Sequence, residues 1–263
     1  IQNILKENIM ETNPYMSWAC FYDVINRANT VLEFAPLVAQ KDPNYRVSEL
    51  YANIAEAKAI RALSYFYLIR AYKDVPYVTI PSTDDTNEFV VPAEKFENIL
   101  DSLIIDLEEV RAYAVNKYTN KKANTARFTR NGIDALLADL YLWDGDWDNC
   151  IAAVDRIVAN RVEEYEEILE KEPNTTLVLF NNEYPLISNL SPGSGNLGNA
   201  YNEIFGQGNS FETLFELAFE GGSGSVENTF IRNYYADRRQ SSNSIGSLKV
   251  EARVASNIGT ASN

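Results

Sequence analysis

The sequence predicts a mainly α-helical protein built from helical hairpins, with long irregular loops and a minor β element. Three observations carry that expectation. Apolar residues recur at three- and four-residue steps through five stretches that end before residue 172. Two of these stretches are separated only by the turn Asp144-Gly145-Asp146-Trp147. Beyond residue 172 the periodicity gives way to chain rich in Asn, Gly, Ser and Pro.

The first stretch lies within residues 1–40. Phe21, Val24, Ile25, Ala28, Val31 and Leu32 mark one helical face, with the loop Asn13-Pro14-Tyr15 before it and Pro36 expected to close it. Residues 47–73 predict the longest helix. Ala55, Ala59, Ala62, Phe66 and Ile69 form one face, widened by Ile54, Leu63, Tyr67 and Leu68, so the helix is expected to be central and mostly buried. Asp74-Val75-Pro76 stops it, because the residue before a proline avoids the α region, and Tyr77 to Ile80 continue extended. After a polar loop over 82–91, Pro92 is expected to open a third helix, where its missing N–H costs nothing. Phe96, Ile99, Leu100, Leu103, Leu107 and Val110 are its stripe, and residues 116–128 read as a basic, polar linker.

Residues 129–160 predict a hairpin. Thr129 can cap the first helix, Gly145 suits the left-handed residue that ends it, and Asp146 can cap the second. Ile133, Leu136, Leu137, Leu140 and Tyr141 give one inner face; Trp147, Cys150, Ile151, Val154, Ile157 and Val158 give the other. The length, the small turn residue and the aromatic after it are similar to a tetratricopeptide unit, although no second copy follows at ~34 residues. Trp143 and Trp147 are expected to fill the gap between the two helices. Residues 1–172 therefore predict a helical scaffold. Residues 173–263 predict a loop-rich face of the same domain with one short strand over 212–219, where Phe215, Leu217 and Phe219 alternate with Glu216.

Composition excludes whole classes of function. The formal charge of the 263 residues is -14, and no basic stripe exists to displace counterions from a phosphate backbone, so no nucleic-acid partner is expected. Histidine is absent, which removes the commonest general base and metal ligand. Neither catalytic residues nor a metal or cofactor are expected. The acidic pairs Glu108-Glu109, Glu163-Glu164 and Glu166-Glu167 read as solvated faces, and Asp84-Asp85 does not match a calcium loop. Cys20 and Cys150 sit in helical patterns and read as small buried hydrophobes. The chain starts at Ile1 inside a helical pattern, as expected of a fragment of a longer protein truncated at both ends.

Taken in order, five blocks resemble the SusD/RagB family of nutrient-binding outer-membrane lipoproteins of Bacteroidetes. Phe21 to Leu32 (FYDVINRANTVL) resembles an early helix of the family. Ala55 to Thr79 (AEAKAIRALSYFYLIRAYKDVPYVT) resembles its hallmark helix and Asp-Val-Pro exit. Phe96 to Leu107, Arg127 to Val158 and Asn209 to Phe219 resemble the following helix, the hairpin and a later strand. The lipidated N-terminal cysteine of the family and its C-terminal helices have no counterpart here. The resemblance implies a SusD-like fold whose tetratricopeptide-like side packs on a SusC-like TonB-dependent transporter, and whose loop side holds a glycan or peptide. It also implies a non-catalytic protein exposed at the cell outer membrane. A lipid anchor absent from this chain would be its only attachment to the membrane. A tetratricopeptide-type scaffold for protein partners, or a peptide-binding member of the same family, is the alternative.

Sugar sites combine aromatic faces for ring stacking with amide and charged groups for hydroxyls. On that basis the candidate ligand-binding residues are Asn13, Tyr15 and Trp18 before the first helix, Asn182, Tyr184, Asn199 and Tyr201 in the long loop, and Tyr234 near Arg232 and Tyr235. Trp18 is also near a position where the resemblance implies a ligand-stacking aromatic.

Overall fold

A computed structural model of the chain describes residues 17–83, 90–175, 177, 179, 185–187, 204 and 210–218. Two compact units divide the chain, Ile1–Glu216 and Leu217–Asn263. All the described helices and strands lie in the first. They run α1 (Ala19–Lys41), α2 (Val47–Tyr72), β1 (Val75–Pro76), β2 (Ala93–Glu94), α3 (Phe96–Val110), a 3-10 turn (Arg111–Tyr113), α4 (Lys121–Ala126), α5 (Arg130–Asp144) and α6 (Trp147–Lys171). The fold is mainly α, as the periodicity predicts.

Helix α2 is central. It packs along α1 on one side and against α3 on another, while α3 also meets α5, and α5 pairs with α6. Ala55, Ala59 and Ala62 are buried together with Tyr65, Phe66, Leu68 and Ile69, so the small residues allow close helix approach and the large ones fill the core. From α3, Ile99, Leu100, Leu103, Leu107 and Val110 are all buried, and from α5 Ile133, Leu136, Leu137, Leu140 and Tyr141. At α1 the predicted stripe is split: Ile25 and Ala28 are buried, whereas Val24 and Val31 are exposed. Cys20 is exposed and Cys150 half-buried, which corrects their reading as core residues.

Local chemistry sets the helix ends. At the start of α5 Thr129 Oγ1 accepts from the Gly132 N–H at 3.3 Å; at the hairpin turn Asp146 Oδ1 accepts from the Asn149 N–H at 3.1 Å, and Gly145 sits at φ 85°. The N–H groups of Gly145 and Asp146 both donate to Tyr141 O at 3.0 Å, which satisfies the carbonyl end of α5. Two hydrogen bonds from Asn149 hold the Asp146 carboxyl below the usual range. At the exit of α2, Asp74 accepts from Lys95 Nζ at 2.9 Å and from the Phe96 N–H at 3.1 Å, so the residue that follows one helix caps the start of another.

Four boundaries differ from the expectation. Helix α1 runs through Pro36 to Lys41. Proline removes one helical hydrogen bond but does not stop a helix docked along its length on α2. Pro92 precedes β2 rather than opening a helix; α3 starts four residues later, where Asp74 supplies an acceptor. The linker 116–128 contains α4, because Asn120 accepts from the N–H groups of Lys122 and Ala123. Residues 211–218 form a turn and an unpaired extended run rather than a strand. One backbone bond, Glu216 N–H to Thr125 O at 2.8 Å, ties this run to α4, and Phe215 stacks on Phe128 with centroids 4.2 Å apart. Phe215 and Glu216 thus lie against the helical scaffold rather than in a sheet.

The two tryptophans of the hairpin also part ways. Trp143 packs its ring against Phe66 and Phe96, each 6.0 Å away, and Arg70 lies over it. Trp147 is 61% exposed, because α6 turns Ala153 and Arg161 inward and leaves Trp147, Ile151 and Val154 outside.

Candidate functional site

Of the candidate ligand-binding residues, Trp18 is described. Asn13, Tyr15, Asn182, Tyr184, Asn199, Tyr201 and Tyr234 lie outside the described residues. Trp18 stands immediately before α1 and is 38% exposed. Its ring lies 5.4 Å from that of Tyr72 and 6.2 Å from that of Tyr22, both tilted. Tyr72 is the last residue of α2, so the ends of two helices build a small aromatic shelf.

Tyr22 leads from the shelf into a groove of about 570 Å3, lined among others by Ile25, Asn26, Asn29, Tyr77 and Thr79. Its volume lies within the range of small-ligand sites. One wall is the face of α1 carrying Tyr22, Ile25, Asn26 and Asn29. The other is the extended chain 76–82 that leaves α2. No sheet holds that chain in place beyond Pro76; side chains do. The Tyr22 hydroxyl donates to Pro76 O at 2.7 Å, and Asn29 Nδ2 donates to Val78 O at 3.0 Å. Asn26 closes a two-way pair with Ser82, accepting its N–H at 2.7 Å and donating to its carbonyl at 3.3 Å. The Tyr65 hydroxyl, reaching from α2, accepts from the Val78 N–H at 2.7 Å and lies 2.9 Å from Val78 O.

Burial fixes the protonation of this wall. It pushes the Tyr22 hydroxyl up to about 12, and raises Tyr65 and Tyr77 as well. All three remain neutral donors through the physiological range. Beneath them Arg61, 5% exposed, donates to Asn29 Oδ1 at 2.9 Å and to Asp106 Oδ2 at 2.5 Å. Lys58 Nζ adds a contact to Asp106 at 3.0 Å and to Glu109 at 2.6 Å. The amide of Asn29 is thereby fixed: its oxygen faces the guanidinium and its nitrogen faces Val78.

Trp18 is among the candidates read from sequence; Tyr22, Asn26 and Asn29, which line the groove beside it, are not. The signal was present. Asparagine is a poor helix former, because its amide competes for backbone hydrogen bonds. Two asparagines on the same face as a tyrosine, at spacings of four and seven, indicate side chains serving something outside the helix. Among the described residues no group of three or more His, Cys, Asp or Glu is placed to hold a metal. No described helix is long and apolar enough to cross a membrane.

Comparison with known proteins agrees with this architecture. A SusD-like family described as "Starch-binding associating with outer membrane" matches residues 2–142, more than half of the chain. SusD-like protein P38 of Formosa agariphila is 23% identical over 161 residues, covering 60% of this chain and 29% of that protein. A SusD-like protein of Bacteroides ovatus is 29% identical over 143 residues, covering 53% of this chain and 24% of that protein. The chain therefore spans less than a third of the length of these curated relatives. Among solved structures, a SusD superfamily protein of Bacteroides thetaiotaomicron superposes with a TM-score of 0.52 at 24% identity, covering 57% of this chain and 36% of that one. A SusD superfamily protein of Bacteroides fragilis gives 0.51 at 22%, covering 59% and 37%. These likenesses show a shared fold, and with the match over residues 2–142 they establish that the chain belongs to the SusD-like family.

Proposed function

We propose that the chain captures a glycan without chemically altering it and presents it to a TonB-dependent transporter at the outer membrane. The observation that carries this reading is the Trp18–Tyr72 shelf opening onto the Tyr22–Asn26 groove. A half-exposed indole offers a flat apolar face for a sugar ring, and the groove beside it is of a size to take a small ligand. The floor is held by hydrogen bonds already made within the protein, so little ordering cost falls on binding. The family description, starch-binding and outer-membrane associated, points the same way. An exposed apolar strip on α6, formed by Trp147, Ile151 and Val154, supports a protein-facing side to the scaffold. Asn13, Tyr15, Asn182, Tyr184, Asn199, Tyr201 and Tyr234 remain the proposed contributors from the loops.

The test is calorimetric titration with maltoheptaose and a panel of neutral oligosaccharides. At least one should bind, and Trp18→Ala should weaken it roughly tenfold, about 1.4 kcal/mol. An unchanged affinity removes Trp18 from the site. Binding to a peptide but to no oligosaccharide rejects the glycan reading in favour of a peptide-binding member of the family.

A further inference from the structure

A second concavity, about 450 Å3, lies between α4, the C-terminal half of α6 and residues 210–213. Its charge is opposite to that of the chain. Across a sequence with formal charge -14, this wall gathers Lys117, Lys121 and Arg161 against two carboxylates, Glu164 and Glu172. The glutamate read from sequence as solvated, Glu164, is largely buried and is shared by two cations: Arg161 Nη1 at 2.5 Å and Lys117 Nζ at 3.0 Å.

Arg161 is built in rather than draped over the surface. It is 8% exposed, donates through Nη2 to Thr213 O at 2.9 Å, and has the Phe211 ring 5.1 Å from its guanidinium carbon. Its buried Nε has no acceptor among the described residues. Burying a guanidinium is costly unless negative charge surrounds it, and one shared carboxylate does not balance two cations. Lys117 remains 42% exposed on its side chain, and Lys121 is also exposed. The three cations thus outnumber the two carboxylates of the lining, to which Tyr118 and Phe211 also contribute.

We propose that this cavity is a subsite for a singly charged acidic sugar residue, carrying a carboxylate or a sulfate ester, with Lys117 and Lys121 as its direct contacts and Arg161 supplying the fixed positive field behind them. The assignment rests on the glycan-binding reading above and sharpens it to an acidic glycan. A neutral chain such as starch gains nothing from three gathered cations. An acidic chain approaching a protein of net negative charge needs such a local reversal of field to dock.

The experiment is titration with tetragalacturonate, a sulfated tetrasaccharide and maltoheptaose, using the parent chain, Trp18→Ala and Lys117→Gln/Lys121→Gln. One acidic oligosaccharide should bind at least tenfold more tightly than maltoheptaose, and which one does so identifies the charged group. That binding should weaken tenfold or more in the double lysine variant and fall with added salt, while Lys117→Arg retains it. Both lysines are exposed, and circular dichroism checks that the variants fold. If a neutral oligosaccharide binds in a Trp18-dependent way and neither acidic one binds better, the acidic subsite is overturned and the glycan reading stands. If no oligosaccharide binds, both fall. Acidic binding indifferent to the two lysines also overturns the proposal.

Discussion

Two of the described helices end on a residue with positive φ, and they use opposite solutions. Helix α5 ends on Gly145 at φ 85°, and α2 ends on Lys73 at φ 67°. A side chain added at Gly145 would meet nothing within 4 Å. Steric clash with neighbours therefore contributes nothing to Gly145→Ala, and its cost is that of the left-handed backbone alone, about 1–2 kcal/mol for an L-residue. Alanine also stiffens the unfolded chain, which returns about 0.4–1 kcal/mol. The net expectation is a loss of about 0–1.6 kcal/mol, smaller for Gly145→Asn because asparagine visits this region more readily. Lys73 differs, because its ψ of -98° puts it outside the left-handed helical region in backbone that L-residues rarely adopt; Lys73→Gly should therefore stabilise, since it relieves that strain and exposes no core. Urea denaturation reads both, as a shift in midpoint with the slope unchanged. A Gly145→Ala variant clearly more stable than the parent would refute the backbone argument. A loss above about 3 kcal/mol would show that the turn depends on a contact absent from this geometry.

Further outcomes follow from the packing. Asp106→Ala strips Arg61 of its carboxylate and leaves a buried guanidinium on one amide, so chemical denaturation should report a loss of about 3–5 kcal/mol. Hydrogen bonds from Asn149 depress Asp146. Its contribution is therefore present above its unfolded value, about 3.9, and is lost as pH falls through the lower folded value. Asp146→Asn should flatten the decline in denaturation midpoint between pH 5 and pH 3, and an equally steep decline in the variant would count against the assignment. The two tryptophans should differ in thermal melts. Trp147→Ser should shift stability by no more than about 0.5 kcal/mol, whereas Trp143→Ser, which removes a ring 48% exposed but packed on Phe66, Phe96 and Arg70, should cost about 1–2 kcal/mol.

The helical frame was legible because its signals are local. The alanine and aromatic face of α2, the stripe of α3, and the Thr129, Gly145 and Asp146 terminators each act within a few residues, and each is found where its pattern places it. What the sequence concealed depends on partners distant in the chain. Pro36 stays inside α1 because docking on α2 outweighs one lost hydrogen bond. The α3 start is displaced from Pro92 to Phe96 by a carboxylate that belongs to the α2 exit. Trp147, Ile151 and Val154 of α6 point outward while Ala153 and Arg161 take inward positions, and Arg161 is held by Glu164 and by the carbonyl of Thr213, 52 residues away. At the candidate site Trp18 was legible as an exposed aromatic at a helix start. The groove beside it was not, since Asn26 and Asn29 acquire their role only when the chain at 78–82 passes alongside.

The Arg61 contacts bear on how long the native state lasts. Asn29 lies 32 residues before Arg61 and Asp106 lies 45 after it. These bonds need α1, α2 and α3 docked together, and we expect that docking to follow the rate-limiting step of folding. A contact made late adds little to the speed of folding and most of its effect to the barrier against opening. The buried guanidinium then acts as a kinetic latch across three helices. Its loss should show chiefly as faster unfolding and greater sensitivity to proteolysis, with the refolding rate almost unchanged.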